Sequence, residues 1–188
     1  MKALKIIGII VAVLIAASLI VPLFAPATAE VSSSIEIALE PEQIYPSVAS
    51  FDGRESWDPW LTNDSTASAD ISSKPGYVGS TYAWKGEAVG TGILEVISVK
   101  DNKYLESPLW FGGAEDAALV EWPLEQEDGG TSVVWSFSQD TRYPFGRLGM
   151  MIATGFLQKA FDEGLANLKE VMEAKPLAGN VLQAFPLS

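Results

Sequence analysis

The chain has 188 residues, enough for one domain with an appended segment; beyond the N-terminal Lys2 and Lys5 it carries 10 basic against 24 acidic residues, a net charge of −14. So acidic a body is a poor match for the phosphates of nucleic acids, and no nucleic-acid partner is expected. The sequence contains no His and no Cys, which excludes Ser-His and Cys-His nucleophiles, thiolate chemistry and nearly all zinc, copper, haem and iron–sulfur ligation.

An uncharged apolar run, residues 6–24, follows the two lysines. As a helix, these nineteen residues would extend about 28 Å, close to the thickness of the hydrocarbon core of a bilayer. The lysines predict that the N-terminus stays in the cytoplasm and that the following domain lies outside it, on the periplasmic side. We therefore predict a membrane anchor. The alternative is a signal peptide cleaved after Ala29, because residues 27–29 have the small-x-small form of a cleavage site, although the apolar run exceeds a usual signal core.

Most of the chain between the apolar run and residue 140 is predicted to form strands. Alternating apolar and polar residues, separated by short turns, are typical of an antiparallel meander. The predicted strands are residues 31–39, 79–86, 90–99, 103–111, 117–125 and 131–138. Short helical turns are predicted at residues 41–45 and 55–60, and residues 63–73 are either an edge strand or a loop.

A long helix is predicted over residues 145–173, and Pro176 prevents its continuation. In the C-terminal half, apolar residues recur at spacings of three and four and form one stripe: Leu157, Phe161, Leu165, Leu168 and Met172. In the N-terminal half, apolar residues cover most of the circumference, so that half is predicted to be shielded almost all round. The glycines Gly149, Gly155 and Gly164 leave either close backbone contact with the sheet or empty volume for a guest.

Five motifs follow one another along the chain: PEQIY at 41–45, SWDPW at 56–60, GSTYAWKG at 79–86, GTSVVW at 130–135 and FDEGLANLK at 161–169. In this order they resemble the START-like superfamily, most closely its polyketide cyclase/dehydratase and lipid-transport branch (SRPBCC proteins), including members with an N-terminal membrane segment. The resemblance covers residues 31–173 and implies an α+β helix-grip fold, in which a curved antiparallel sheet wraps the C-terminal helix around a deep apolar cavity. Members bind lipids, sterols, polyketides or hormones, and a few are cyclases or dehydratases. The family shares no catalytic set, so no catalytic residue and no cofactor is predicted.

The predicted organisation is an anchor or signal peptide at 1–29, a START-like helix-grip domain at 30–175 and a tail at 176–188. The predicted function is binding of a hydrophobic small molecule or lipid in the cavity, outside the cytoplasmic membrane, with residues 6–24 in the membrane. One alternative is an enzyme of cyclase or dehydratase type that uses a carboxylate and Tyr or Arg in the same cavity. Another is a protein-interaction module with a filled core. The sequence does not determine the oligomeric state.

The candidate ligand-binding residues are those that strand parity and helix facing direct toward the space between sheet and helix. They are Tyr82, Trp84, Leu94, Val96, Leu105, Leu109, Phe111, Trp122, Trp135, Phe137, Arg147, Met150, Met151 and Leu157, and Val120 and Phe161 face the same space. Each of these side chains can instead fill a solid core, which is the usual role of a single buried apolar residue. Arg147 is expected either to meet a carboxylate or phosphate headgroup at the cavity mouth or to pair with a nearby acid. Trp57 and Trp60 are expected to cap the open end of the sheet.

A few polar residues are further candidates. Tyr82 and Tyr104 can offer a hydroxyl to a ligand, or can be ordinary buried tyrosines. Glu87 and Glu95 are the acids best placed to reach a cavity, where a carboxylate with a raised pKa can act as general acid or base. The acidic residues within 121–128 are interpreted as a solvated face and turn, and no metal is predicted there.

Overall fold

The structure, a computed structural model, describes residues 2–51, 53–72 and 76–174. Helix α1 (Lys2–Ile20) opens the chain and continues into a 3-10 turn at Val21–Phe24. By length and composition this segment is able to cross a membrane, although a signal sequence meets the same test. The predicted tail at 176–188 lies outside the described residues.

Within the described residues, eight antiparallel strands form one curved sheet. In chain order they are β1 (Thr28–Ile37), β2 (Ser68–Ile71), β3 (Thr81–Gly86), β4 (Gly90–Glu95), β5 (Ser98–Lys100), β6 (Tyr104–Phe111), β7 (Ala118–Glu127) and β8 (Gly130–Asp140). Their spatial order is β1-β8-β7-β6-β4-β3-β2, with β5 pairing to β6. Two short helices, α2 (Pro41–Ala49) and α3 (Pro59–Thr62), lie between β1 and β2, and the long helix α4 (Phe145–Ala174) follows β8. The predicted α+β helix-grip fold is confirmed.

The alternation of residues in β1 explains how the sheet holds α4. Buried residues such as Val31 and Ser33 alternate with exposed ones, which puts them on the inner face of the sheet. From that face the Ser33 hydroxyl donates a hydrogen bond of 2.6 Å to Asp162 of α4. Two turns further along α4, the Lys169 ammonium donates to the Glu36 carbonyl at 2.7 Å. The C-terminal half of α4 is therefore fixed to the edge strand by polar contacts as well as by its apolar stripe.

The two halves of α4 are covered very differently. The predicted stripe in the C-terminal half is buried, from Phe161 to Met172. The prediction that the N-terminal half is shielded almost all round is wrong, because Phe145, Ile152 and Phe156 are 71%, 65% and 71% exposed. This half contacts the sheet side only through residues such as Met150 and Leu157, which pack against the core. Its other apolar face lies on the surface.

The predicted strand at 90–99 is interrupted in the structure. Its first part, β4, pairs with β3 and with the end of β6, and its second part, β5, pairs with the start of β6. Pro108 lies in β6 opposite the break and has no N–H to donate to a neighbouring strand, which explains the missing rungs. Of the two alternatives for residues 63–73, the structure contains a short edge strand, β2, paired with β3.

The three glycines of α4 have different surroundings. A Cβ on Gly164 would lie 2.8 Å from the ring of Trp135 and 2.9 Å from Pro59, so this glycine permits close contact. A Cβ on Gly149 or Gly155 would meet nothing within 4 Å. Both of these glycines are exposed, so neither predicted alternative describes them.

Candidate functional site

A cavity of about 400 Å³ lies between the inner face of the sheet and the N-terminal half of α4. The sheet contributes Tyr82, Trp84, Leu94, Leu109, Phe111, Ala118, Val120, Trp135, Phe137 and Gln139 to its lining. Helix α4 contributes Met150, Ala153, Phe156, Leu157 and Phe161, helix α3 contributes Trp60, and the remaining lining residues are Arg54, Asp58 and Ala114. The volume and the mostly apolar, aromatic lining are typical of sites for small molecules.

An aromatic stack closes the cavity on the side of the core. The ring of Trp135 stacks on Phe161 at 4.2 Å and on Trp122 at 4.5 Å between centroids. Trp57 meets both tryptophans edge-on, at 5.9 and 6.1 Å. Because these rings are fixed in place by one another, the wall that they form is preformed.

The opposite wall depends on one glycine. Gly92 of β4 pairs with Trp84 of β3, and a Cβ on Gly92 would overlap the indole ring. The absent side chain therefore lets the indole lie across the sheet, where its centroid is 5.8 Å from that of Tyr82 and 6.3 Å from that of Phe111. All three of these rings line the cavity.

A buried ion pair lies in this otherwise apolar lining. Arg54 is 2% exposed, and its Nε lies 3.0 Å from Oδ2 of Asp58, four residues later. The pair is held by proximity, since the N–H direction falls short of hydrogen-bond geometry. Asp58 also caps α3 by accepting a hydrogen bond of 3.0 Å from the Trp60 amide. The guanidinium carbon lies within 5.0–5.9 Å of five aromatic rings, those of Phe51, Trp57, Tyr82, Trp122 and Trp135.

Burial shifts the protonation equilibria at this end of the cavity. It raises the pKa of the Asp58 carboxyl above its ordinary value, and the nearby guanidinium of Arg54 opposes that effect. Burial also raises the pKa of the Tyr82 hydroxyl well above its usual range. Tyr82 therefore stays protonated at physiological pH and remains able to donate a hydrogen bond.

The mouth of the cavity lies at the end of the sheet next to α1. The strand pairing shows which residues lie at this end of neighbouring strands: Thr28 pairs with Asp140, Leu119 with Ser138, and Leu109 with Ala118. Phe111, two residues beyond Leu109, is 50% exposed and lines the cavity, as does the exposed Phe156 of α4. At the same end, the Tyr143 hydroxyl donates a hydrogen bond of 2.6 Å to the Leu19 carbonyl in α1.

The profile of a family described as "Polyketide cyclase / dehydrase and lipid transport" matches residues 28–173. The chain belongs to this family. Among curated proteins, none matches the sequence significantly.

Several solved structures share the fold. A protein described as MLL2253 from Mesorhizobium loti is 18% identical, with a TM-score of 0.60 over 79% of this chain and 99% of that one. CV1439 from Chromobacterium violaceum is 11% identical, with a TM-score of 0.58 over 78% and 99% of the two chains. DynU16, titled a putative protein in the dynemicin biosynthetic locus, is 14% identical, with a TM-score of 0.59 over 78% of this chain and 48% of that one. This chain thus spans about half the length of DynU16. At these identities, the likeness shows the fold alone.

In this member of the polyketide cyclase / dehydrase and lipid transport family, most candidate residues named from the sequence border the cavity. They are Tyr82, Trp84, Leu94, Leu109, Phe111, Trp135, Phe137, Met150 and Leu157, together with Val120 and Phe161. Strand parity places a residue on the inner face but does not tell how far along the strand the cavity extends. Val96, Leu105 and Trp122 accordingly lie outside the lining: all three are fully buried in the core, and Trp122 is part of the aromatic stack.

Two of the candidates on α4 and most of the polar candidates lie away from the cavity. Met151 faces the surface, at 47% exposure, and Arg147 lies outside the lining with its guanidinium 6.0 Å from the ring of Tyr143. Tyr104 hydrogen-bonds to Glu106 at 3.2 Å and to Glu121, away from the cavity. Neither Glu87 nor Glu95 borders the cavity. Of the two expected caps, Trp60 lines the cavity and Trp57 is buried in the aromatic stack.

Sequence reasoning missed the ion pair and the small residues of the site. Arg54 and Asp58 stand at a spacing of four around the SWDPW motif, and this spacing was the available signal. Nothing in the sequence marked Ala114, Ala118 or Ala153, because a small residue near a cavity has no pattern of its own.

Proposed function

We propose that this family member binds a hydrophobic small molecule or lipid in the cavity between the sheet and α4, without performing chemistry on it. The observation that supports this proposal is the preformed cavity of about 400 Å³ with its apolar, aromatic lining. A protein-interaction module with a filled core fits less well, because a void of this size costs stability unless a ligand fills it.

An enzyme of cyclase or dehydratase type is the second candidate, since Asp58, Arg54 and Tyr82 all border the cavity. A general acid or base needs a free proton-transfer position near the ligand. Both oxygens of Asp58 are already engaged, Oδ1 by the Trp60 amide and Oδ2 by Arg54, each at 3.0 Å. This engagement favours a binding role over catalysis.

For the N-terminal segment, residues 1–29, we propose retention as a membrane anchor, with the binding domain at 30–175 on the periplasmic side. The lysines at the N-terminus favour that orientation. Cleavage after Ala29 is the alternative, but it would remove the first two residues of β1, which pair with Asp140 and Gln139. Thr28 also hydrogen-bonds to Asp140 at 2.8 Å.

The exposed apolar face at the start of α4 lies next to the anchor, so the anchor would hold this face against the membrane. Phe145, Ile152 and Phe156 are on the surface at the end of the domain where Tyr143 contacts α1. A soluble surface seldom leaves such a row uncovered. We assign the outer leaflet that α1 enters as its partner, so that the mouth beside Phe156 opens toward the lipid. The net charge of −14 on the body excludes attraction to anionic headgroups as the main force, which leaves apolar insertion.

Ligand binding is tested on the full chain extracted from its host membrane in polymer nanodiscs. Native mass spectrometry is expected to show a bound molecule on the wild type and on Ala166→Phe, whose substitution lies on the exposed face of α4. Ala153→Phe, in the same helix, fills the cavity and is expected to lose that molecule. Equal occupancy in the two variants would place the ligand elsewhere, and no bound molecule in any form would count against the proposal. The intact mass of the chain also distinguishes retention of residues 1–29 from cleavage.

A further inference from the structure

Gln139 lies near the end of β8, where the cavity opens. Along β8, the buried residues Trp135 and Phe137 face inward, and the pairing with β1 continues in the same register to Asp140. Since side chains alternate between the two faces of a strand, the side chain of Gln139 also faces inward, and Gln139 borders the cavity. Its neighbours Ser138 and Asp140 face outward and border a second cleft, on the outer face, to which Gln139 also belongs. The inward direction of its side chain assigns the carboxamide of Gln139 to the cavity.

The carboxamide of Gln139 is accessible and has no partner in the protein. Gln139 is only half-buried, and within the described residues no group hydrogen-bonds to its side chain. Neither of its polar atoms is among those that are buried without a partner, so both can be reached from the cavity. The Tyr82 hydroxyl and the indole N–H groups of Trp84 and Trp135 differ in this respect, because they are fully buried. Among these four side chains of the lining, Gln139 is the one that can meet a polar group of a ligand.

The residues beside Gln139 leave its carboxamide uncovered. On the inner face, Ala29 of β1 pairs with Gln139 on one side. The register that pairs Leu119 with Ser138 puts Ala118 of β7 on the other side. Both alanines are too short to pack over the carboxamide, and neither has a polar side-chain group to bind it. The glutamine therefore keeps its hydrogen-bonding capacity for a molecule at the mouth.

The chemistry of a carboxamide restricts which polar group fits. Its oxygen accepts and its nitrogen donates, so a partner satisfies both atoms only when it can donate and accept. An aliphatic hydroxyl does both with one oxygen atom. An ether or a ketone leaves the carboxamide oxygen without a donor, and a carboxylate has no proton to give to it.

The charges near the mouth also favour an uncharged group. The adjoining cleft is bordered by the carboxylates of Glu115, Asp116 and Asp140. Arg142 in that cleft is already paired with Asp116, at 2.6 Å. A ligand anion would therefore meet more negative than positive charge here, and it would also lose hydration on entering an apolar enclosure.

We infer that Gln139 binds the aliphatic hydroxyl of an amphipathic ligand at the cavity mouth, while the apolar part of the ligand fills the cavity. This inference rests on the proposed function and adds the ligand's polar group to it. The hydroxyl then stays at the end of the domain next to α1, and the apolar part lies against Leu94, Val120 and Leu157.

The test uses brominated probes whose tail quenches the fluorescence of the tryptophans in the lining, such as Trp84 and Trp135. The alcohol is 10-bromodecan-1-ol, and its matched ether and hydrocarbon, 1-bromo-9-methoxynonane and 1-bromoundecane, have the same number of non-hydrogen atoms. The fourth probe is the anion 10-bromodecanoate. Each probe is titrated against the full chain in phosphatidylcholine nanodiscs, with Ala153→Phe in identical nanodiscs as the blank for quenching from the lipid. The alcohol is expected to bind about fivefold more tightly than the ether, and the anion more weakly than the alcohol.

Two matched substitutions connect that preference to one residue. Gln139→Met removes the carboxamide from a side chain of nearly the same length and is expected to abolish the preference for the alcohol. Binding of 1-bromoundecane is expected to persist in this variant, which shows that the fold and the cavity are intact. Gln126→Met makes the same change on the same face of the sheet, at an exposed position outside the cavity, and is expected to keep the wild-type preference.

Each contrary result identifies what is wrong. Equal binding of alcohol and ether, or an alcohol preference that survives Gln139→Met, overturns hydroxyl recognition by Gln139 and leaves apolar binding in place. Loss of 1-bromoundecane binding in Gln139→Met would make Gln139 a structural support of the cavity, which also overturns the assignment. Tightest binding of 10-bromodecanoate would mean that the site takes an anion, and the inferred hydroxyl would be wrong. If no probe distinguishes the wild type from Ala153→Phe, the proposed cavity function fails together with this inference.

Discussion

The two halves of α4 contain similar apolar residues, but one half is packed in the core and the other borders the cavity and the surface. In the C-terminal half, Leu165 and Leu168 are fully buried, and Gly164 lets Trp135 and Pro59 approach the helix backbone. The N-terminal half is also apolar, but one side of it lines the cavity and the other side is exposed on the surface.

The point of change is the aromatic stack of Trp135 on Phe161. On one side of that stack, the space between sheet and helix is filled by side chains. On the other side, the sheet presents Ala118 and the helix Ala153, and the space is left open. The fold thus separates the part of the grip that supplies stability from the part that holds a ligand, and each can be perturbed by itself.

The largest expected effect is a loss of stability on truncation in the filled half. Leu168→Ala removes a side chain with no exposed surface and is expected to lower the free energy of unfolding by about 2–5 kcal/mol. Ile152→Ala removes a similar volume from the exposed face and is expected to change it by less than about 0.5 kcal/mol. Denaturant unfolding of the full chain in lipid-free amphipathic polymer, followed by tryptophan fluorescence, measures both without a bilayer that would cover Ile152. Equal costs would mean that the N-terminal half is packed like the other.

The sequence was sufficient for the architecture because periodicity records which face of an element is buried. The alternation in β1 and the stripe from Leu157 to Met172 predicted the inner face of the sheet and the buried half of α4. The missing rungs opposite Pro108 could have been predicted in principle, since proline lacks the N–H that the ladder needs.

The same reasoning failed where burial depends on shape rather than pattern. Met151 and Ile152 belong to an apolar helix turn that looks like a core segment, yet a membrane surface or a cavity produces the same composition as a core. The ion pair of Arg54 and Asp58 lies in a connection between short helices, where no periodicity applies. Which apolar residues border empty space depends on where neighbouring side chains end, and this information is not contained in any local stretch.

A smaller effect is expected from adding one methyl group at two glycines of the same helix. Gly164→Ala would place its Cβ 2.8 Å from Trp135 and 2.9 Å from Pro59, and is expected to destabilise the fold by about 1–3 kcal/mol. Gly155→Ala meets open space and is expected to stabilise it by about 0.5–1 kcal/mol through the higher helix propensity of alanine. Thermal unfolding of the two variants side by side gives opposite signs if the halves differ as described. A cost at Gly155 would indicate close packing of that face.

The exposed half also predicts a position-specific response to lipid. Because the chain has no cysteine, Ile152→Cys carries a single environment-sensitive fluorophore, and Ile97→Cys gives a matched, 45% exposed control. The Ile97 amide pairs with Glu106, five residues and therefore about 17 Å along β6 from Phe111 at the mouth. Emission from position 152 is expected to shift to the blue and to be quenched by nitroxide lipids in nanodiscs, while emission from position 97 is unaffected. The reverse pattern would remove the membrane from the proposed function.

The smallest expected effect concerns the turn between β3 and β4, whose amides donate hydrogen bonds to Asp64. Asp64 accepts hydrogen bonds from the Thr66 hydroxyl and amide, at 2.6 and 2.9 Å, and from the amides of Ala88 and Val89. The hydrogen bonds from Thr66 are the main reason why the pKa of Asp64 falls to about 2. A Cβ on the next residue, Gly90, would lie 3.6 Å from the ring of Phe111, so the turn adjoins the cavity lining.

The sign of its pH dependence follows from linkage. The folded pKa lies below the ordinary value of about 3.9 for an unfolded aspartate, so the contribution of Asp64 to stability is complete above about pH 4. As the pH falls from there to about 2, the unfolded chain takes up its proton first and the contribution is progressively lost. In Asp64→Asn, the free energy of unfolding is expected to fall less steeply over this pH interval than in the wild type. Asp70→Asn changes an exposed aspartate on β2 and serves as the control, which is expected to show the same pH profile as the wild type. A profile unchanged by Asp64→Asn would mean that the turn, like the filled half of the grip, is held by packing rather than by these hydrogen bonds.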